Sequence, residues 1–207
     1  MKEKQIRHLS AYSCFGFALF CLLWISLSYF LLPIKEGQND YSLLVNDNEW
    51  IYVSLIGLIS SILGISAVIG VFYANRDVGG VLLFIGVITL IWGLALEFAS
   101  LTWDIFICPV LCANDKFLSF VREGIFIKSF QFKIFTIVLL FSLGIGNIFT
   151  AIGLLKIKRF GRITPLLLIA GILLYGVGSL LIIHVATVGL CIYSLSFVLI
   201  GLRLLKE

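Results

Sequence analysis

The sequence predicts an all-α fold, a polytopic transmembrane helical bundle of six spans. Three observations carry that expectation. Of 207 residues, 61% are hydrophobic and only 13% charged, with a mean hydropathy of +1.14, whereas soluble domains run near about 45–50% apolar and about 25% charged. Long uncharged runs recur along the chain, each near the roughly 20 residues that a bilayer core requires. Basic residues gather in alternate turns between those runs. So much apolar side chain has no place on a water-facing surface. The composition therefore excludes a nucleic-acid binder and a disordered regulator, and five cysteines are too few for a secreted disulfide scaffold.

The first span, residues 11–32, follows a basic segment ending at His8 and so resembles the start of a signal peptide. Its 22 uncharged residues exceed the about 7–15 of a cleavable signal, and Pro33, Ile34 and Lys35 stand where small residues would precede a cleavage site. A retained span is expected. Trp50 introduces the second span, 51–73. The third, 81–103, is interrupted only by Glu97, and Asn75, Arg76, Asp77, Gly79 and Gly80 supply the turn before it. The fourth, 134–155, stops at Lys156, Lys158, Arg159 and Arg162. Residues 163–202 then carry no formal charge across 40 positions, roughly 60 Å of helix and twice a bilayer core. That run must break near His184, Thr187 and Gly189, giving spans 163–183 and 185–202.

With six spans both termini share one side. That side holds Lys2, Lys4, Arg7, Arg76, Lys156, Lys158, Arg159, Arg162, Arg203 and Lys206, leaving Lys35, Lys116, Arg122, Lys128 and Lys133 of the 15 basic residues opposite. Lysine and arginine in short loops mark the cytoplasmic face, so both termini are expected in the cytoplasm. Seven acids, among them Glu36, Asp40, Asp47 and Glu49, fall on the outer side.

The connection 104–133 is not an ordinary hydrophilic loop. Phe117, Phe120, Val121 and Ile125 fall at helical spacing, with Lys116, Ser119, Arg122 and Glu123 on other faces, as in a segment lying in the membrane interface. It either anchors the loop or re-enters over the outer mouth of the bundle. Glycines seven residues apart, Gly57/Gly64, Gly86/Gly93, Gly146/Gly153 and Gly171/Gly178, suit close helix approach in lipid. Two of these pairs, 85 residues apart in sequence, also fit a duplicated helical hairpin.

Glu97 is the one formal charge well inside a span, and an intramembrane ionisable group points to function because its burial is expensive. Asp104, seven residues on, shares its helix face, and His184 is expected at similar depth on the outer side, where the third and fifth spans would meet. These three form the candidate polar outer site, with His184 available as a cation because its ordinary pKa lies near about 6.5. Cys108 and Cys112 form a candidate disulfide on the outer side, with a spacing one residue longer than a redox C-x-x-C pair. Cys14, Cys21 and Cys191 sit in apolar surroundings. Asn147 is a buried polar residue suited to interhelical hydrogen bonding. No metal site, cofactor-binding motif or reaction-competent constellation is present in the sequence pattern.

Ser142-Leu143-Gly144-Ile145-Gly146-Asn147-Ile148 with Gly153-Leu154-Leu155, a basic turn, Pro165, the run from Leu166 to Gly171 and a closing Ile200-Gly201-Leu202-Arg203 resemble small six-span bacterial or archaeal integral membrane proteins of uncharacterised function. The resemblance covers roughly residues 135–206. It implies a prokaryotic cytoplasmic membrane and brings no catalytic residues. The expected role is a non-enzymatic membrane protein in small-solute passage, sensing or as an accessory subunit; the alternative is a membrane thiol-disulfide oxidoreductase using Cys108 and Cys112. The lipid bilayer is the expected partner, no nucleic acid is, and a membrane-protein partner or a second copy of the chain stays open.

Overall fold

A computed structural model describes residues 3–32, 48–123, 125–181 and 183–206, and every regular element among them is helical. The outer-side residues Lys35, Glu36, Asp40 and Asp47 lie outside the described residues. The helices are α1 (Glu3–Leu31), α2 (Asn48–Thr102), α3 (Cys108–Cys112), α4 (Asp115–Arg122), α5 (Ile125–Lys128), α6 (Phe130–Leu155), α7 (Ile163–Leu181) and α8 (Ile183–Leu205).

Two boundaries differ from the sequence expectation. Helix α1 begins at Glu3, well before the uncharged run, because the polar residues ahead of it are good helix formers. The turn expected over residues 75–80 narrows to one residue. Helix α2 runs 55 residues, and its only break is Gly80, at φ 67° and ψ −170°. Asn75 stays helical, its amide donating to the Val71 carbonyl at 2.7 Å.

At Gly80 the chain folds back on itself. Gly57 lies against Leu101, Gly64 against Leu94, and the Phe72 and Phe84 rings stack at 5.6 Å, so the first arm (48–79) and second arm (81–102) form an antiparallel hairpin. Gly80's backbone conformation is accessible essentially to glycine alone and costs other residues about 1–3 kcal/mol. No atom lies within 4 Å of the position a Cβ would take there, so Gly80→Ala isolates the backbone effect. It should lower stability by about 1–3 kcal/mol in a reversible detergent unfolding titration.

Four helices are long and apolar enough to cross a membrane: Lys4–Leu31, Glu49–Cys112, Phe130–Leu155 and His184–Leu205. The second is 64 residues long and contains the Gly80 reversal; a further apolar helix, Ile163–Ser179, is shorter.

Helices adjacent in sequence are adjacent in space. The second arm of α2 packs on α6, α6 on α7, α7 on α8, and α8 returns to α1, which packs on α2, so the chain closes a ring. The α2–α6 seam interlocks glycines from both sides: Gly86 and Gly93 lie against Thr150 and Leu143, while Gly146 and Gly153 lie against Leu90 and Leu83. Gly171 and Gly178 seat α8 against α7 in the same way, at Tyr193 and Ala186. The ring closes on an aromatic cluster, where Phe17 meets Phe197 edge-on at 4.6 Å and Tyr193 at 5.8 Å. The thinnest of the main seams is α6–α7.

The antiparallel order sorts the bundle into two ends. The start of α1, Gly80, the 3-10 turn Lys158–Phe160 and the end of α8 share one end, where Ser10 touches Gly70 and Phe15 touches Gly201. The end of α1, the 103–130 segment and the α7–α8 connection share the other, where the Tyr29 and His184 rings meet at 5.8 Å.

Candidate functional site

A single hydrophilic side chain in an apolar helix must find protein partners or water. Glu97, partly buried near the end of α2's second arm, does so by lining a narrow, partly open cavity of about 30 Å³, room for one or two water-sized groups. Every long helix contributes to its wall. Helix α1 supplies Cys21 and Trp24, the first arm of α2 supplies Gly57 and Ser60, and Leu143 comes from α6, Tyr175 from α7 and Tyr193 from α8. Glu97 is the only formally charged residue among those lining it. Gly57 opens the wall, since a Cβ there would come within 2.9 Å of the Trp24 indole nitrogen.

The polar residues around this cavity are held by their own helices. Beyond the cavity wall, Ser61 donates to the Gly57 carbonyl at 3.2 Å and Ser28 to the Trp24 carbonyl at 2.7 Å, the usual way for a short hydroxyl side chain to satisfy itself inside a helix. Asn147 is fully buried. Its Nδ2 donates to the Leu143 carbonyl at 2.8 Å and its amide lies beside the Tyr193 hydroxyl, while its Oδ1 has no hydrogen-bond partner among the described residues. The Ser194 hydroxyl is buried beside the Cys21 thiol, within hydrogen-bonding reach of it.

The three residues of the expected outer site are not brought together. Glu97 faces the cavity with Tyr175 and Tyr193. Asp104, partly buried, sits in a π-helical turn, Trp103–Ile107, and is not among the cavity-lining residues. His184 is exposed at the start of α8, its ring tilted at 59° against that of Tyr29. The cavity reaches α8 at Leu190, six residues further along, so His184 lies about 9 Å further out by helix rise. The second arm of α2 and α7, expected to meet at their ends, face one another across the cavity instead of packing together. Trp24, Ser60, Tyr175 and Tyr193 are the site residues that sequence reasoning missed. The signal that could have found them is the tyrosine hydroxyl itself, which needs a polar partner at membrane depth.

Cys108 and Cys112 lie one turn apart on α3 and are buried in a small apolar cluster with Val121. The amphipathic helix α4, capped by Asn114 accepting from the Lys116 amide at 3.0 Å, provides Val121, and Phe120 and Trp50 pack against the cluster. Burial in an apolar cluster protects both sulfurs. A membrane-impermeant maleimide should leave both unlabelled in intact cells, before and after reduction, and label both once the protein is unfolded. Labelling that appears in the folded protein only after reduction would show a disulfide instead. Among the described residues no group of three or more His, Cys, Asp or Glu could hold a metal ion.

Compared with protein-family models, with curated proteins and with solved structures, the chain matches none.

Proposed function

We propose that the chain is a six-span integral membrane protein, without an enzymatic role, that binds a small cationic solute in the cavity around Glu97. The observation that carries this reading is the convergence of all the long helices on one cavity, which a single acidic side chain, Glu97, lines together with Trp24, Tyr175 and Tyr193. A carboxylate complements a cation directly, and aromatic faces attract cations through their ring quadrupoles. The narrow space beside Glu97, about 30 Å³, suits a compact cation such as ammonium or methylammonium. Solute passage and sensing both begin with such binding.

The six-span reading counts each arm of α2 as a span, together with α1, α6, α7 and α8. Large side chains such as Phe84, Trp92, Phe141 and Val177 lie exposed on the bundle's outside, an apolar surface suited to lipid. Lys4, Arg7, Arg76, Lys156, Lys158, Arg159, Arg162, Arg203 and Lys206 belong to the end that carries both termini, and the positive-inside rule assigns that end to the cytoplasm. Reporter fusions after Arg159 and Glu207 should both give cytoplasmic signals; a periplasmic signal at Glu207 would overturn the topology.

Equilibrium dialysis of labelled methylammonium against the protein in lipid nanodiscs tests the binding reading. One saturable site per chain is expected. Uptake that rises linearly, as in empty nanodiscs, would overturn it.

A further inference from the structure

The outer half of the α6–α7 seam is open. Between these helices runs a groove of about 450 Å³, walled almost wholly by apolar side chains such as Ile137, Phe141 and Val177. That is ligand-sized. Along α6 it extends from Ile137 to Ile148, about 16 Å of helix rise. Its floor is made of Leu143, Ile172 and Tyr175, and these same three residues form one wall of the Glu97 cavity. The groove and the cavity are therefore separated by a single layer of side chains.

Two glycines line this groove, and the packing that explains most of the others does not explain them. A Cβ at Gly86, Gly93, Gly146, Gly153, Gly171 or Gly178 would run into the backbone of a neighbouring helix. At Gly144 and Gly176 it would meet nothing within 4 Å. Glycine is among the poorest helix formers, so its presence at two open positions, one on each wall, calls for another reason. Their missing side chains keep the groove wide.

We infer that the groove and the Glu97 cavity form one site for a primary amine carrying a long apolar chain, with the chain between α6 and α7 and the ammonium at Glu97. This rests on the cavity's binding a small cation. Charge complementarity fixes the head, because Glu97 is the only charged residue lining the inner end. The narrow space beside Glu97, about 30 Å³, favours a compact ammonium over one carrying three methyl groups. The groove's apolar walls, facing outward between lipid-exposed residues, fix the tail. Tyr175, shared by both spaces, is the side chain that must turn aside to let the head through.

Displacement of labelled methylammonium from the protein in nanodiscs tests the inference with dodecylamine, dodecyltrimethylammonium and dodecanol as competitors. Dodecylamine should displace at least tenfold better than unlabelled methylammonium, and the other two should be at least tenfold weaker than dodecylamine. Gly176→Leu and, separately, Gly144→Leu should reduce the dodecylamine advantage to threefold or less. Their methylammonium binding reports that the cavity has stayed folded. An advantage that survives both substitutions would overturn the groove's role while leaving cavity binding intact. Equal displacement by dodecanol would overturn the ammonium assignment. Absence of any saturable methylammonium site in the unmodified protein would overturn the cavity reading itself.

Discussion

Replacing Gly146 with leucine should disrupt the bundle more than any substitution on its lipid-facing surface. A Cβ at this position would lie 2.6 Å from the Leu90 amide nitrogen and 2.7 Å from its Cα. Backbone cannot rotate away, so α6 must move off α2 and release the interlocked contacts at Gly86, Gly93 and Gly153 together. Overpacking of a well-filled core costs about 1–3 kcal/mol, and a clash with helix backbone belongs at the upper end of that range. In lipid the loss is heavier in kind, because helix association there depends on close van der Waals packing and not on exclusion of water. The matched control is two residues away. At Gly144 a Cβ meets nothing within 4 Å, and leucine is the better helix former, so Gly144→Leu should not lower stability. Detergent unfolding followed by circular dichroism separates the two, and equal losses would contradict the assignment of Gly146 to the seam.

Glu97→Gln should weaken methylammonium binding at least thirtyfold while leaving the fold intact. Glutamine keeps the shape and hydrogen-bonding reach of the side chain and removes its charge. Losing one partner of a desolvated charge pair costs about 2–5 kcal/mol, and each 1.4 kcal/mol is about tenfold in affinity. Asp104→Asn is the informative counterpart, because Asp104 lies seven residues along the same helical segment but outside the cavity wall. It should change binding by less than about twofold, in keeping with a charge acting from beyond direct contact. Loss of binding in Asp104→Asn with retention in Glu97→Gln would move the site from the cavity to the π-helical turn.

The helices themselves were legible because hydrocarbon imposes a length and a composition on any element that would cross it. The break in the uncharged run 163–202 was placed near His184, and α7 and α8 indeed meet beside it, at residues 181 and 183. Glu97 was legible as an expensive charge. Its surroundings were not, since Trp24, Ser60, Tyr175 and Tyr193 come from four separate passes of the chain and no spacing in the sequence links them. His184 sits beside the α7–α8 break, as its place in the uncharged run implies, but six residues before the cavity wall at Leu190, because counting residues from a turn gives depth only to within a turn or two of helix. The glycines mislead most. Gly144 and Gly146 look alike in the sequence, yet one faces open groove and the other a helix backbone, and only the rotation of α6 against its neighbours decides which is which.

The most direct test observes the Glu97 carboxyl itself. Protein labelled with carboxyl-13C glutamate and aspartate, in nanodiscs, is titrated with methylammonium, and the Glu97 resonance is assigned by its disappearance in Glu97→Gln. The account predicts a saturable shift of the Glu97 carboxyl with the same midpoint as equilibrium binding, while the Asp104 and Glu49 carboxyls stay in place. A Glu97 resonance that does not move at saturating methylammonium, or a shift confined to Asp104 or Glu49, would contradict it.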